Sequence, residues 1–259
     1  MHALRIDELD AHLRYHDLPG TEPAIVFLHG LGSASSADFP EVTRHPRLRE
    51  HRALLVDLLG HGFSDRPPDF NYAMESQADL VARLMRHLGL REAIVLGHSM
   101  GGSVAVLLAA RAPDLVSHVF SAEGNLDPGP GFVSGRITAM SEADFAATGH
   151  GEFVRMVVQA GFPDYAGTVR AADPVGLYRS AASLIAERTP TYREHLAELA
   201  IPRTYVFGEQ TLPDPDVDRL PGIGVDVRIV PDAGHGMMID NPDGFAAVVA
   251  DAVADAPLR

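Results

Sequence analysis

The stretch "AIVLGHSMGGSVAVLLAARAP", residues Ala93 to Pro113, decides the fold class. It opens with a short apolar run, which is typical of a strand buried on both faces. The alanine- and leucine-rich part that follows predicts a helix ending before Pro113. Between them stands the pattern G-x-S-x-G, in which a serine on a tight strand-to-helix turn is raised above a sheet. The pattern predicts Ser99 as a nucleophile.

The apolar strand pattern recurs along the chain. It returns in "AIVFLHGLG", "ALLVDLLGHG", "VSHVFSAEGN", "RTYVFGE" and "VDVRIVPDAGH". Helical patterns lie between these runs, at Tyr72–Leu88 and Met100–Ala112, with a last one at Phe245–Ala254, while the first twenty residues predict a hairpin. Alternation of this kind predicts a mostly parallel sheet with helices on both faces and a ligand site at the carboxyl ends of the strands.

One long region interrupts this alternation. After "EGNLDPGPGFVSG" the chain returns to a strand only near Pro202. We predict that residues 127–199 form a helical cap, or lid, over a core made of residues 1–126 and 200–259. The predicted helices of the cap lie at Ala143–Gln159, Pro174–Glu187 and Tyr192–Leu199.

Composition limits the possible functions. The 259 residues are 46% hydrophobic and 22% charged, and 35 acidic against 21 basic residues give a formal net charge of −14. This excess argues against nucleic acid or an anionic membrane as partner. The absence of cysteine excludes disulfides, a thiolate nucleophile and cysteine metal sites. With neither a signal-peptide pattern nor an apolar run long enough for a membrane span, we expect a cytoplasmic protein.

Two further motifs complement the serine. In "PDAGHGMMIDNP", His235 follows the last predicted strand between two glycines, where an imidazole can reach Ser99 as general base. In "FLHGLG", the backbone N–H of Leu31 can join that of Met100 in an oxyanion hole. We interpret His29, His61 and His98 as packing or turn residues.

With these motifs the chain resembles the α/β-hydrolases over essentially its whole length. The matching segments are "FLHGLGSAS", "DLLGHGFSDRP", "GHSMGG" and "AGHGMMIDNP", in the order and spacing of that family. The resemblance implies a mostly parallel eight-stranded sheet flanked by helices, with the cap inserted after strand 6. It also implies that Ser99 is the nucleophile, His235 the base, and Leu31 and Met100 the oxyanion donors.

The chain departs from this family at the triad acid. Most members carry an aspartate three residues after the glycine of "TYVFGEQTLPDPD", and here that position is Thr211. Glu123, at the end of the preceding strand, is the favoured acid, a placement similar to that in haloalkane dehalogenases and zearalenone-type lactonases. Asp214 and Asp216 are the alternatives, and the absence of any functional acid is a third.

The pattern predicts a serine hydrolase that cleaves a carboxylic ester or lactone through an acyl-serine intermediate, with no metal or organic cofactor. Carbon–carbon bond hydrolysis, iminopeptidase activity and perhydrolysis use the same triad, and a non-catalytic ligand receptor is the rival from another class. Aromatic and methionine side chains of the cap suggest a small, uncharged, moderately hydrophobic substrate, although they equally fit the core of the cap itself. They are Phe132, Phe145, Phe153, Met156, Phe162, Tyr165 and Tyr178.

Overall fold

Eight strands form a single sheet in the computed structural model, which describes residues 1–255. The strands are β1 (His2–Ile6), β2 (Ala11–Leu18), β3 (Thr21–Leu28), β4 (His51–Asp57), β5 (Ala93–His98), β6 (Val116–Ala122), β7 (Arg203–Gly208) and β8 (Asp226–Val230). Their order in the sheet is β1-β2-β4-β3-β5-β6-β7-β8. The pairs β1–β2 and β2–β4 are antiparallel and the other five are parallel, which confirms the predicted sheet.

Helices fill the connections between the strands. They are α1 (Ser35–Asp38), α2 (Pro40–Arg44), α3 (Met74–His87), α4 (Met100–Arg111), α5 (Phe132–Ile137), α6 (Glu142–Asp144), α7 (His150–Gln159), α8 (Pro163–Ala171), α9 (Pro174–Ile185), α10 (Tyr192–Glu198), α11 (Asp216–Arg219), α12 (Met237–Asp240) and α13 (Pro242–Asp255). Residues Phe145–Gly149 form a π-helical turn before α7, and Glu209–Thr211 form a 3-10 turn directly after β7.

The central strands are buried on both faces because helices cover both sides of the sheet. Alternate side chains of a strand point to opposite faces, and β3 and β5 show this directly. Val26 and Val95 belong to one core cluster, with residues of α3 and α4. Phe27 and Leu96 belong to a second cluster on the other face, with residues of α2 and α13. The continuous apolar runs of the sequence are therefore explained by burial on two sides.

A helical region separates β6 from β7, as the sequence predicts. The region, residues 127–199, is called here the inserted helical region. It contains α5 to α10, of which α5 and α8 were not predicted, and the predicted helix at Pro174–Glu187 ends at Ile185. Gly135 in α5 and Gly167 in α8, together with Pro163 at the start of α8, lower the helical signal of these short segments.

Residues 256–259 of the predicted core lie outside the described residues. Within residues 1–255, no helix has both the length and the apolar character that crossing a bilayer demands.

Candidate active site

Ser99 occupies a strained turn between β5 and α4. Its backbone angles are φ 50° and ψ −120°, in a region that non-glycine residues rarely adopt. The two glycines of the motif are required by close backbone contacts. A Cβ on Gly97 would lie 2.0 Å from the carbonyl oxygen of Gly101, and a Cβ on Gly101 would lie 2.2 Å from that of Leu28. These contacts fix the turn that presents Ser99 above the carboxyl edge of the sheet.

One predicted oxyanion donor, Met100, directly follows this turn, and the other, Leu31, lies in the loop after β3, the strand that pairs with β5. Met100 is the first residue of α4, where backbone N–H groups have no partner inside the helix and the helix dipole favours negative charge. Leu31 follows β3, and its N–H makes no hydrogen bond within residues 1–255. Its carbonyl accepts a hydrogen bond of 2.8 Å from the hydroxyl of Tyr165 in α8. The inserted helical region therefore contacts the loop that carries Leu31.

His235 and Glu123 meet above β7. Nδ1 of His235 lies 2.6 Å from Oε2 of Glu123. Because a carboxylate can only accept, Nδ1 carries the proton of this hydrogen bond, which leaves the Nε2 lone pair free to act as a base. The Glu123 side chain is 11% exposed and the His235 side chain 54% exposed. The described residues show no hydrogen bond between Ser99 Oγ and this imidazole.

The second carboxylate oxygen of Glu123 is held by two donors. Oε1 accepts from the backbone N–H of Gly208 at 2.8 Å and from the hydroxyl of Thr211 at 2.6 Å. Burial raises the pKa of Glu123, but the hydrogen bonds from His235, Thr211 and Gly208 together outweigh burial, so that the pKa lies below its ordinary value. The carboxylate is thus kept ionised beside the imidazole.

The backbone of Glu123 explains how a residue that follows β6 reaches His235. Glu123 lies in the left-handed region with φ 46°, a conformation that costs a non-glycine residue free energy. Its N–H still donates to the carbonyl of Val206 in β7, at 3.0 Å. The chain therefore turns sharply at the end of the strand, and the glutamate side chain crosses the end of β7 toward the loop after β8.

Asp214 and Asp216, the alternative acids, are engaged elsewhere. Asp216 accepts hydrogen bonds of 2.8 and 3.1 Å from the guanidinium of Arg193 in α10. Asp214 accepts from the backbone N–H of Asp216 at 2.8 Å. Among residues 1–255, neither aspartate forms a hydrogen bond or ion pair with His235. The structure brings Glu123 to the imidazole and leaves these two carboxylates at the start of α11 and in the loop before it.

Comparison with known proteins gives the family. A family model described as alpha/beta hydrolase fold matches residues 23–168, which include Leu31, Ser99 and Glu123. The chain belongs to the α/β-hydrolase family.

Individual proteins are similar in sequence to part of this α/β-hydrolase. The mouse sn-1-specific diacylglycerol lipase ABHD11 is 44% identical over 110 residues, which are 41% of this chain and 35% of the lipase. The human mesoderm-specific transcript homolog protein is 40% identical over 94 residues, which are 36% of this chain and 28% of that protein. The chain thus matches about a third of the length of these curated relatives.

Solved structures resemble the whole chain. An esterase from Exiguobacterium antarcticum superposes with a TM-score of 0.80 at 18% identity, covering 98% of this chain and 99% of the esterase. The enol-lactonase from Burkholderia xenovorans LB400 superposes with a TM-score of 0.79 at 20% identity, covering 98% of this chain and all of the lactonase. At these identities the likeness extends to the fold alone.

His98 is closer to the site of this hydrolase than the sequence suggested. Its Nε2 lies 2.8 Å from the carbonyl oxygen of His235, so Nε2 carries a proton and donates. The two rings lie 4.7 Å apart between centroids. Burial, with a smaller contribution from His235, lowers the pKa of His98 to about 3 and keeps it neutral. A neutral imidazole beside the serine thus tethers the loop that carries His235.

His29 and His61 are buried, and their rings lie 5.1 Å apart between centroids. Nδ1 of His29 donates to the carbonyl of Gly30 at 2.8 Å, and its Nε2 accepts from the N–H of Leu58 at 3.0 Å. Burial lowers the pKa of His29 to about 4 and that of His61 to about 3. Both stay neutral and join the loops after β3 and β4, which agrees with the packing and turn roles that the sequence suggested.

The aromatic side chains of the inserted helical region divide into two groups. Phe145 and Phe153 are buried in a core that is continuous with one face of the sheet, and Met156, Tyr165 and Tyr178 pack partly buried against it. Phe132 and Phe162 are 80% and 62% exposed. Most of these residues therefore form the core of the region itself, and only some remain available to face a ligand.

Proposed function

We propose that this α/β-hydrolase cleaves carboxylic esters or lactones through an acyl-serine intermediate. In the first step, Nε2 of His235 takes the hydroxyl proton of Ser99 while Oγ attacks the carbonyl carbon of the substrate. The tetrahedral intermediate then collapses, its C–O bond breaks, and the imidazolium gives the proton to the leaving alkoxide. A lactone opens at this bond, and its alcohol stays on the acyl chain.

Water completes the cycle. Nε2 of His235 removes a proton from water, whose oxygen attacks the acyl carbon, and Ser99 leaves with that proton as the acid is released. In both steps the negative oxygen is stabilised by the N–H groups of Leu31 and Met100, and each such donor is typically worth about 3–4 kcal/mol. We expect the hydrogen bond between Ser99 and His235 to form once substrate fills the site, because such bonds are often long in free enzymes.

The contact between Glu123 and His235 carries this proposal. An ionised carboxylate 2.6 Å from Nδ1 orients the ring and stabilises the imidazolium that forms during proton transfer. Burying a carboxylate costs free energy unless the group is paired and hydrogen-bonded. A paired, buried glutamate aimed at a half-exposed imidazole is what a hydrolase requires, whereas a ligand receptor has no use for it.

The names of the relatives support an ester or lactone substrate. They include a diacylglycerol lipase at 44% identity over 110 residues, and, among similar structures, an esterase and an enol-lactonase. The apolar side chains that the inserted helical region leaves exposed favour a small, uncharged and moderately hydrophobic substrate. We further propose that this region, residues 127–199, acts as a lid over a core made of residues 1–126 and 200–259.

Hydrolysis of p-nitrophenyl acetate and butyrate and of a γ-lactone tests the proposal, together with labelling by a fluorophosphonate. We expect turnover by the parent protein, one label on Ser99, and loss of both in Ser99→Ala. Ser103→Ala is the matched control, since it removes a buried serine hydroxyl of α4, bound to the carbonyl of Asn125 at 3.0 Å, and leaves the turn around Ser99 intact. Folded protein that neither turns over nor takes the label contradicts the proposal.

A further inference from the structure

Thr211 stands at the position where most α/β-hydrolases carry the triad acid. Its hydroxyl nevertheless contacts Glu123, the proposed acid of this chain. Oγ1 of Thr211 lies 2.6 Å from Oε1 of Glu123 and 2.8 Å from the carbonyl oxygen of Gly208. We propose that Thr211 is a positioning residue: with the N–H of Gly208 it holds one carboxylate oxygen of Glu123, so that the other faces Nδ1 of His235. This inference rests on the proposed function, in which Glu123 is the acid.

A glutamate needs such support more than an aspartate does. Its side chain has one more rotatable bond, and fixing a long side chain costs conformational entropy. Two donors on Oε1 restrict the carboxylate to one orientation, and that orientation directs Oε2 at the imidazole. At the usual position of the acid, after β7, Thr211 thus supplies a hydrogen-bond donor. The negative charge comes from Glu123, at the end of the neighbouring strand β6.

The turn that carries Thr211 also holds the histidine loop. In the 3-10 turn Glu209–Thr211, the N–H of Gln210 donates to the carbonyl of Ala233 at 2.9 Å. The carboxylate of Glu209 accepts from the N–H of Asp232, also at 2.9 Å. One short turn therefore contacts both Glu123 and the segment that leads to His235.

The hydroxyl of Thr211 has a single proton and two acceptors within reach. When Glu123 is ionised, the Thr211 hydroxyl donates its proton in a hydrogen bond to Oε1, because hydrogen bonds to a charged oxygen are the stronger ones. When Glu123 is protonated, the carboxylic acid can donate to Oγ1 and the hydroxyl can turn to the Gly208 carbonyl. Thr211 thus favours the ionised form and helps to lower the pKa of Glu123, against the opposing effect of burial.

Other titratable groups near this carboxylate do not obscure a pH measurement. Besides His235, the ionisable side chains on which the charge of Glu123 acts include His98 from β5 and Tyr205 from β7. Burial lowers the pKa of His98 to about 3 and raises that of Tyr205 well above its ordinary value. Both stay neutral across the range in which hydrolysis is measured. A shift of the acid limb, the low-pH side of the dependence of kcat on pH, therefore reports on the pair formed by Glu123 and His235.

The experiment compares Thr211→Val with Thr211→Ser in hydrolysis of a p-nitrophenyl ester across pH. Valine keeps the shape and removes the donor, so we expect kcat to fall roughly 10- to 100-fold, as for loss of a hydrogen bond to a charged group. We expect KM to stay within about twofold, because the lost bond acts on the transition state. Without this donor Glu123 becomes more basic, and the acid limb moves to higher pH. Thr211→Ser keeps the hydroxyl, so we expect it to restore the parental kcat and the parental position of the acid limb.

Thr43→Val is the matched control. Thr43 also donates to a backbone carbonyl, that of Pro40 at 2.9 Å, but it lies in α2, whose Val42 belongs to the second core cluster. We expect it to keep the kcat and pH profile of the parent. Thermal unfolding of each variant separates loss of folded protein from loss of rate.

Three results overturn the inference. A Thr211→Val protein with parental kcat and acid limb, while Glu123→Gln is inactive, removes the role of Thr211 and leaves the proposed function intact. A loss of kcat in Thr211→Val with an unchanged acid limb and no recovery in Thr211→Ser assigns the residue a purely structural role. A parent protein without turnover or fluorophosphonate labelling contradicts the proposed function, and this inference with it.

Discussion

The carboxylate of Glu123 lies 2.6 Å from Nδ1 of His235, although the two residues are 112 positions apart in sequence. Parallel strands bring their carboxyl ends to one edge of the sheet, and β6, β7 and β8 are consecutive there. A residue at the end of β6 must cross the end of β7 to reach a loop after β8. The left-handed backbone of Glu123 and the length of its side chain make that crossing.

Replacing Glu123 tests the assignment of the acid. We expect Glu123→Gln to lower kcat by about 10³- to 10⁴-fold with little change in KM, since the ring loses the charge that orients and stabilises it. Asp214→Asn is the control and retains parental turnover, because within residues 1–255 the carboxylate of Asp214 accepts only from the N–H of Asp216. If Asp214→Asn were inactive and Glu123→Gln active in steady-state hydrolysis, the acid would lie in the loop after β7.

The fold could be predicted because its signals are local. Apolar runs ending in glycine mark strands buried on both faces, and the elbow around Ser99 is specified by a strand, two glycines and a helix. The helices α5 and α8 were missed because they are short and contain Gly135 and Gly167. Their stability comes from packing in the inserted helical region, and no local pattern encodes that.

The candidate site could be predicted only in part. Glu123 was favoured because a charge at the end of a buried strand needs a partner, and it stays the proposed acid. The donor role of Thr211 was missed, since an unoccupied acid position says nothing of what the threonine hydroxyl contacts. The contact of His98 with the His235 carbonyl joins residues 137 positions apart, and that between Tyr165 and Leu31 joins residues 134 apart. Ring and hydroxyl orientations of this kind are set by tertiary packing.

His98 is expected to position the histidine loop through its Nε2 proton. His98→Leu removes the hydrogen bond to the His235 carbonyl, and we expect kcat to fall by roughly tenfold, the upper end for one neutral hydrogen bond. His98→Gln can place an amide N–H near the same carbonyl and should recover most of the rate. Equal rates for His98→Leu and His98→Gln in ester hydrolysis, with both proteins folded, argue against this role.

Tyr165 is expected to support the loop that carries Leu31, the proposed oxyanion donor. Tyr165→Phe removes the hydrogen bond to the Leu31 carbonyl, and the Leu31 N–H then loses a constraint on its direction. We expect kcat to fall by about three- to tenfold at nearly constant KM, because the oxyanion exists only beyond the ground state. Tyr178→Phe is the matched control, since this hydroxyl donates to the Met140 carbonyl at 3.0 Å within the inserted helical region. A larger loss in Tyr178→Phe would contradict the assignment.

Buried histidines are expected to make the protein less stable in mild acid, and His118 allows a clean test. Its ring on β6 lies 3.0 Å from the hydroxyl of Thr204, and burial lowers its pKa from 6.5 to about 4, against a smaller opposing effect of Asp226. Between these two values the unfolded chain binds a proton that the folded chain does not. The free energy of unfolding therefore falls as pH decreases from 6.5 toward 4, by up to about 1.4 kcal/mol per pH unit for each such group.

Urea unfolding across this range measures the effect. His118→Gln keeps a hydrogen-bonding side chain that does not titrate, so we expect the pH slope of the free energy of unfolding to become shallower by nearly one proton. His87→Gln, at an exposed position on α3, is the control and should keep the parental slope. Because His118 lies outside the proposed machinery, ester hydrolysis at neutral pH stays unchanged in His118→Gln. A parental slope in this variant would mean that His118 is protonated in the folded protein as readily as in the unfolded chain.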